Sequence, residues 1–331
     1  MLALTHRLQC RRTHLAKQIF TNISTNSPPP SLYPASQRVT FLYYLGRFHF
    51  SNNHFVWAAR CLEEAYIQTP PAFVSHRTSI LTYLIPANML LGRLPSQTLL
   101  SRPEAMHVLT PVFVPIAQAV RSGNFVLFQH TLAAHQAWLL DKALLLTLTY
   151  RLRPLLWRAL ARKTFILTYV PSDADASSRK AATLELGHLL TTATYIQRRL
   201  EGWVPATPSF PGSRPPAGFQ AVQHNGHGPN RAESSLRPPP GGPKKLRPNE
   251  GLVCGNLGIT PEDIESTVGS LVHQGLMHGF ISHSQQRFAI MGAKQKGSPV
   301  AAGWPDVWTA IMDRRYDEDV DWDTVPGWVK G

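Results

Sequence analysis

The sequence predicts a mainly α fold: tandem helical hairpins followed by a small C-terminal module made of one helix and a β-hairpin. Paired amphipathic stretches between Val39 and Leu140 carry the first half of that reading. A capped helix running into two short apolar segments, between Thr260 and Ile290, carries the second. A stretch crowded with Pro, Gly and Ser separates the two halves.

The first hairpin runs from Val39 to Pro70. Phe41, Tyr44, Leu45 and Phe48 recur at helical spacing, Ser51-Asn52-Asn53 turns the chain, and Phe55, Ala58, Leu62 and Ala65 form the facing stripe. The order Leu45-Gly46, Ala58, Leu62, Ala65, Pro70 follows the tetratricopeptide pattern of about 34 residues, in which small residues let two helices approach. His49 stands where that pattern usually has an aromatic residue. Ser79 to Leu91 is helical in composition, and Pro86 within it predicts a kink. A second hairpin spans Val108 to Leu140, turning at Ser122-Gly123-Asn124. Asp141 to Thr168 reads as a helical region broken near Pro154, and Leu186, Leu189, Leu190, Ala193, Ile196 and Leu200 mark another amphipathic helix ending by Gly202.

The end module follows from local chemistry. Thr260 is an N-cap, Pro261 suits the first helical position, and Glu262 and Asp263 place negative charge at the positive end of the helix dipole. Ile264, Val268, Leu271 and Val272 make its apolar stripe, and Gly275 ends it with a left-handed cap. Phe280, Ile281, Phe288 and Ile290 flank the polar tip His283-Ser284-Gln285-Gln286 as two strands and a turn. Helix then hairpin is the back half of a winged helix.

Five segments result: 1–35, an N-terminal segment with a partial helix; 36–203, helical repeats; 204–250, an insertion; 251–297, the winged helix; and 298–331, an acidic tail. The insertion holds Pro238-Pro239-Pro240 and the cluster Lys244-Lys245-Arg247, and has too little apolar content to offset its ordering entropy, so disorder is expected there. Leu15 to Ile23 reads either as the last helix of a preceding repeat or, with Arg7, Arg11, Arg12 and Lys17 and no acid before Glu63, as part of a mitochondrial transit peptide.

Charge and composition narrow the function classes. The net charge is +13, yet six acids and three bases fall between Asp313 and Gly331. Residues 1–312 therefore hold 30 bases and 14 acids, net +16, which favours polyanions or acidic proteins as partners, or serves solubility alone. Cys10, Cys61 and Cys254 lie too far apart for a metal motif, and their odd number argues against a disulfide framework. Ile80 to Leu91 is shorter than the ~20 residues of a membrane span, and Ala143 to Leu160 carries Arg151, Arg153 and Arg158.

Gly251, Gly255 and Gly258 lack the lysine of a phosphate loop. Asp317, Asp319, Asp321 and Asp323 lack the glycine and glutamate of a calcium loop, and His224 and His227 have no third ligand nearby. No nucleophile has a histidine partner at a recognisable spacing. The sequence thus predicts no enzyme, no cofactor and no metal site. The helix of the end module presents Glu262, Asp263, Glu265, Ser266, Ser270, His273 and Gln274 and no lysine or arginine, which disfavours base readout in a major groove. Candidate contacts to RNA or DNA, non-specific and salt-sensitive, are Arg287, Lys294 and Lys296 beyond the helix and Lys244, Lys245 and Arg247 in the insertion, with Arg198 and Arg199 nearby.

The chain resembles the PCI-domain proteins, the scaffold family shared by the proteasome lid, the COP9 signalosome and a translation initiation factor. The blocks that carry the likeness are SQRVTFLYYLGRFHFSNNHFVWAARCLEEAY (Ser36 to Tyr66), SILTYLIPANMLLGRLPS (Ser79 to Ser96), AVRSGNFVLFQHTLAAH (Ala119 to His135) and LVHQGLMHGFISH (Leu271 to His283). The second is the most specific, and within the family the branch is that of COP9 signalosome subunit 12-like proteins and the TREX-2 mRNA-export subunit.

The resemblance implies helical repeats fused to a winged helix, no catalysis, and a scaffold role in the nucleus and cytoplasm. It implies other PCI subunits of the GANP type and the small acidic protein shared with the proteasome lid as partners. It places nucleic-acid contacts at Arg287, Lys294 and Lys296. Members of this branch carry further repeats before the Ser36 block, so the resemblance also implies an N-terminally shortened chain whose first hairpin has an uncovered apolar face.

Overall fold

The computed structural model describes residues 20, 32–170, 181–205 and 236–314. The first hairpin pairs α1 (Ala35–Ser51) with α2 (Phe55–Gln68). Ala58, Leu62 and Ala65 are fully buried, as their spacing predicts. On α1, however, the side turned to α2 is marked by Leu42, Gly46 and Phe50, one residue out of step with the predicted stripe. Gly46 explains the register. A Cβ there would lie 2.6 Å from Leu62 Cγ, so the helices cross where only hydrogen fits. Phe41 and Phe48 look the other way, and the Phe20 ring packs on both, at 5.8 and 5.1 Å. The face expected to be bare is therefore covered in part by Phe20.

Helix α3 (Val74–Leu90) runs through Pro86 without a break and is buried almost all round from Ile80 onward, which makes it the central helix of the array. Short helices α4 (Gln97–Leu100) and α5 (Pro103–Met106) lead to the second hairpin, α6 (Thr110–Ser122) and α7 (Phe125–Ala134), turning at Gly123 as expected. Then come α8 (Gln136–Asp141), α9 (Leu145–Arg151) and α10 (Arg153–Thr168), the last two parted at Leu152 just before Pro154.

Next, β1 (Thr183–Glu185) leads directly into α11 (Leu186–Leu200), and β2 (Val204–Pro205) pairs with β3 (Leu236–Arg237). Helix α12 (Pro261–His273) precedes β4 (Gly279–Ser282) and β5 (Arg287–Ile290). Two short helices, α13 (Pro299–Gly303) and α14 (Val307–Asp313), follow.

The sheet order is β1-β5-β4, antiparallel throughout, with Leu184 opposite Phe288. Both of those residues are fully buried. The order α10-β1-α11-α12-β4-β5 is a winged helix that begins before the insertion. The boundary placed at 251 is thereby corrected: the module takes its first strand and its second helix from residues assigned to the repeats. The Pro/Gly-rich segment enters between its second and third helices.

Residues 236–250 also depart from the expected disorder. Leu246 is buried, the Lys244 N–H donates to the Glu201 carbonyl at 2.8 Å, and Asn256 accepts from the Leu246 N–H at 2.7 Å. The part of the insertion from 206 to 235, with His224 and His227, lies outside the described residues. So does residue 315 onward, including the aspartates of the tail and Trp322 and Trp328. Residues 298–314 pack on the core: buried Trp304 sits between Phe165 on α10 and Phe288 on β5, at 5.1 and 6.3 Å.

Candidate functional site

Helix α12 is fixed by its ends. Thr260 Oγ1 accepts from the Asp263 N–H while the Asp263 carboxylate accepts from the Thr260 N–H, a reciprocal capping box. At the other end Gly275 has φ of 70°, with Leu276 N–H donating to the Leu271 carbonyl and Gly275 N–H to the Val272 carbonyl, both at 2.9 Å. Ile264, Val268 and Leu271 face the core. Glu262, Ser266, Ser270 and His273 face outward, and Glu265 pairs with His283 at the wing tip. This outward face offers carboxylates and hydroxyls to a partner and no cation.

The predicted cations fall in separate places. Arg287 is paired with Glu185 across the β1–β5 ladder at 2.6 Å, so its charge is already met. Lys294 and Lys296 are exposed in the turn after β5 and have no ion pair among the described residues. Lys244, Lys245 and Arg247 are exposed beside the C-terminal end of α11, where Lys244 meets Glu201, and Arg247 lies 4.0 Å from Glu250. Glu185 precedes α11 and Glu201 follows it. The intervening 15 residues separate the two basic groups by about 22 Å along the helix. They do not form one continuous stripe. Arg198 lies over the Trp203 ring, 4.8 Å from its centre.

Sequence reasoning missed two other arginines, counted there only as obstacles to a membrane span. Arg153 opens α10 and donates to the carbonyls of Asn249, Gly251 and Leu252 at 3.0, 2.6 and 2.5 Å. Arg158 donates to the carbonyls of Leu276 and Pro305 at 3.1 and 2.6 Å. Burial pulls the pKa of both below the ordinary arginine value, Arg158 to about 10, so both remain charged at neutral pH. Through these two guanidiniums α10 holds backbone on either side of α12: Arg153 ties it to the turn at 249–252, and Arg158 to the segments that follow α12 and precede α14.

The open edge of the module is β4, whose outer side has no strand partner among the described residues. Phe280 at its centre is 53% exposed. Elsewhere, buried Cys61 has its thiol pushed up to about 12 by burial, and His49 is pulled down to about 4 by burial and then by His54. Both are therefore uncharged at neutral pH. Among the described residues no group of three His, Cys, Asp or Glu side chains is placed to hold a metal ion. No helix there is long and apolar enough to cross a membrane.

No protein-family model matches the chain. Individual relatives do. A PCI domain-containing protein 2 homolog from Drosophila melanogaster is 28% identical over 185 residues, covering 56% of this chain and 42% of that protein. A protein CSN12 homolog from Gibberella zeae is 34% identical over 156 residues, 47% of this chain and 33% of the relative. A CSN12 homolog from Schizosaccharomyces pombe is 33% identical over 163 residues, 49% of this chain and 37% of the relative. The matches thus span less than half the length of these curated relatives. The fold is that of a PCI protein, helical repeats closed by a winged helix. The curated homologues, PCI domain-containing protein 2 and CSN12 homologs, agree with the CSN12-like branch of that family.

Proposed function

We propose that this chain is a non-enzymatic scaffold subunit of a multiprotein complex, of the COP9 signalosome type or one that couples transcription to mRNA processing and export. The observation that carries this reading is the winged-helix module itself, packed on the array through α10 against α6 and presenting an open strand edge with exposed Phe280. An open edge pairs readily with a strand from another chain. Its partners are other PCI subunits, with a small acidic protein matching the positive body of the array, in the nucleus and cytoplasm. Purification of the tagged full chain under mild conditions, followed by mass spectrometry, should recover a second PCI protein. Phe280→Asp should abolish that recovery. A wild-type chain that emerges alone, or a variant that retains the partner, would refute the reading.

The alternative of direct RNA or single-stranded DNA binding draws on Lys294 and Lys296 rather than on Arg287. Reversal of both lysines to glutamate should weaken any such binding and flatten its salt dependence. Unchanged affinity would remove that surface.

A further inference from the structure

A different group of arginines surrounds a cavity of about 190 Å³, where the 92–94 turn, the end of α6 and the middle of α10 meet the first residue of α14. Arg121, Arg158 and Arg162 stand in its wall, with Leu155 and Val307 as apolar lining. Arg158 and Arg162 are four residues apart on α10 and share a face. Arg121 reaches the same space from the last turn of α6.

Arg158 is the inner member. Its Nε and Nη2 are committed to the Leu276 and Pro305 carbonyls, while Nη1 donates to no atom among the described residues. Arg121 and Arg162 are exposed and have no ion pair among the described residues. The acid that acts on Arg158 is Asp306, but its Oδ2 accepts from the N–H and hydroxyl of Thr309 to cap α14. Burial and the like charge of Arg162 both disfavour the charged form of Arg158. Three arginines thus line one cavity against one engaged carboxylate, an excess of positive charge that an anion would relieve.

We propose that this cavity binds a phosphomonoester dianion, held between Arg121, Arg158 and Arg162. Guanidinium forks such as those of Arg121 and Arg162 match phosphoryl oxygens in geometry and charge, and Arg158 adds Nη1, which has no acceptor among the described residues. The volume is on the order of six waters, enough for a phosphoryl group and its first substituent atoms but not for stacked nucleotides. Because Arg158 also holds the Leu276 carbonyl beyond α12 and the Pro305 carbonyl ahead of α14, an anion at Nη1 fixes the side chain that ties those two segments to α10. The site lies apart from the β4 edge and stands independently of the scaffold reading.

The test is calorimetric titration of the full chain, at fixed ionic strength, with inorganic phosphate and with a peptide carrying one phosphoserine. The unphosphorylated peptide serves as control. Saturable binding of at least one phosphorylated probe is expected, weakened at least about tenfold in the exposed-site variant R121Q/R162Q and unchanged in K294Q/K296Q. Tighter binding of the peptide would assign the group to a phosphorylated side chain; equal or tighter binding of the free ion would assign it to a small phosphate. No saturable binding of either probe, or equal affinity in R121Q/R162Q with a wild-type circular dichroism spectrum, would overturn the proposal.

Discussion

Replacing Arg153 by methionine keeps most of the apolar stem and removes the guanidinium that clamps residues 249–252 to α10. The Asn249 carbonyl keeps a second donor, Gln129 Nε2 at 3.1 Å, whereas the carbonyls of Gly251 and Leu252 lose the only side-chain donor they have among the described residues. Each stranded carbonyl costs about 1–3 kcal/mol. Relief of the arginine's own burial returns part of that, and the Leu252 N–H keeps its acceptor, Gln197 Oε1 at 2.9 Å. The expected loss is about 3 kcal/mol in urea-induced unfolding, with faster amide exchange confined to residues 249–257. A midpoint within about 0.5 kcal/mol of wild type, as for a neutral surface change, would refute the clamp.

Three further outcomes are expected. Gly46→Val should destabilise the first hairpin by about 2 kcal/mol, because its side chain must enter the space held by Leu62; thermal melting reports it. Thr260→Ala should cost about 1 kcal/mol through loss of the capping box, and calorimetric unfolding measures that loss. Buried Glu104 accepts from Tyr66 at 2.7 Å and pairs with Arg77 at 3.0 Å, so Glu104→Ala should cost about 3 kcal/mol at pH 7. Burial pushes the Glu104 pKa up, but the bonds from Tyr66 and its own backbone N–H and the charges of Arg77 and Arg102 together hold it below the ordinary carboxylate value. Its contribution is therefore fully present above the unfolded carboxylate pKa and is lost as pH falls through the lower, folded value. The difference in melting temperature between wild type and Glu104→Gln should shrink from pH 7 to pH 3, and a difference constant with pH would contradict the assignment.

Local signals were legible where one turn of chain contains both partners of a contact. Thr260, Pro261 and Asp263 announce their cap, Gly275 its left-handed end, and Ala58, Leu62 and Ala65 their buried stripe. The first strand was not legible. Thr183 to Glu185 is too short to show a period, and its partner, Arg287 to Ala289, lies about a hundred positions away. The composition of 204–250 hid Leu246 and the contacts to Glu201 and Asn256, because averaging over a long polar stretch conceals one anchored end. On α1 the large side chains drew the eye to Phe41 and Phe48, whereas the small Gly46 marked the tighter interface. At the candidate site the residue types were visible but their grouping was not: Arg287 answers to Glu185, and α11 keeps Lys244 apart from it.

The claim on which most else rests is that the winged helix is assembled from both sides of the insertion, with β1 docked on β5. The direct test is a protease site engineered near position 220, cleavage of the folded chain, and gel filtration without denaturant. The expected result is co-elution of the two fragments with an unchanged circular dichroism spectrum, and separation only in denaturant. Fragments that part under native conditions would contradict it.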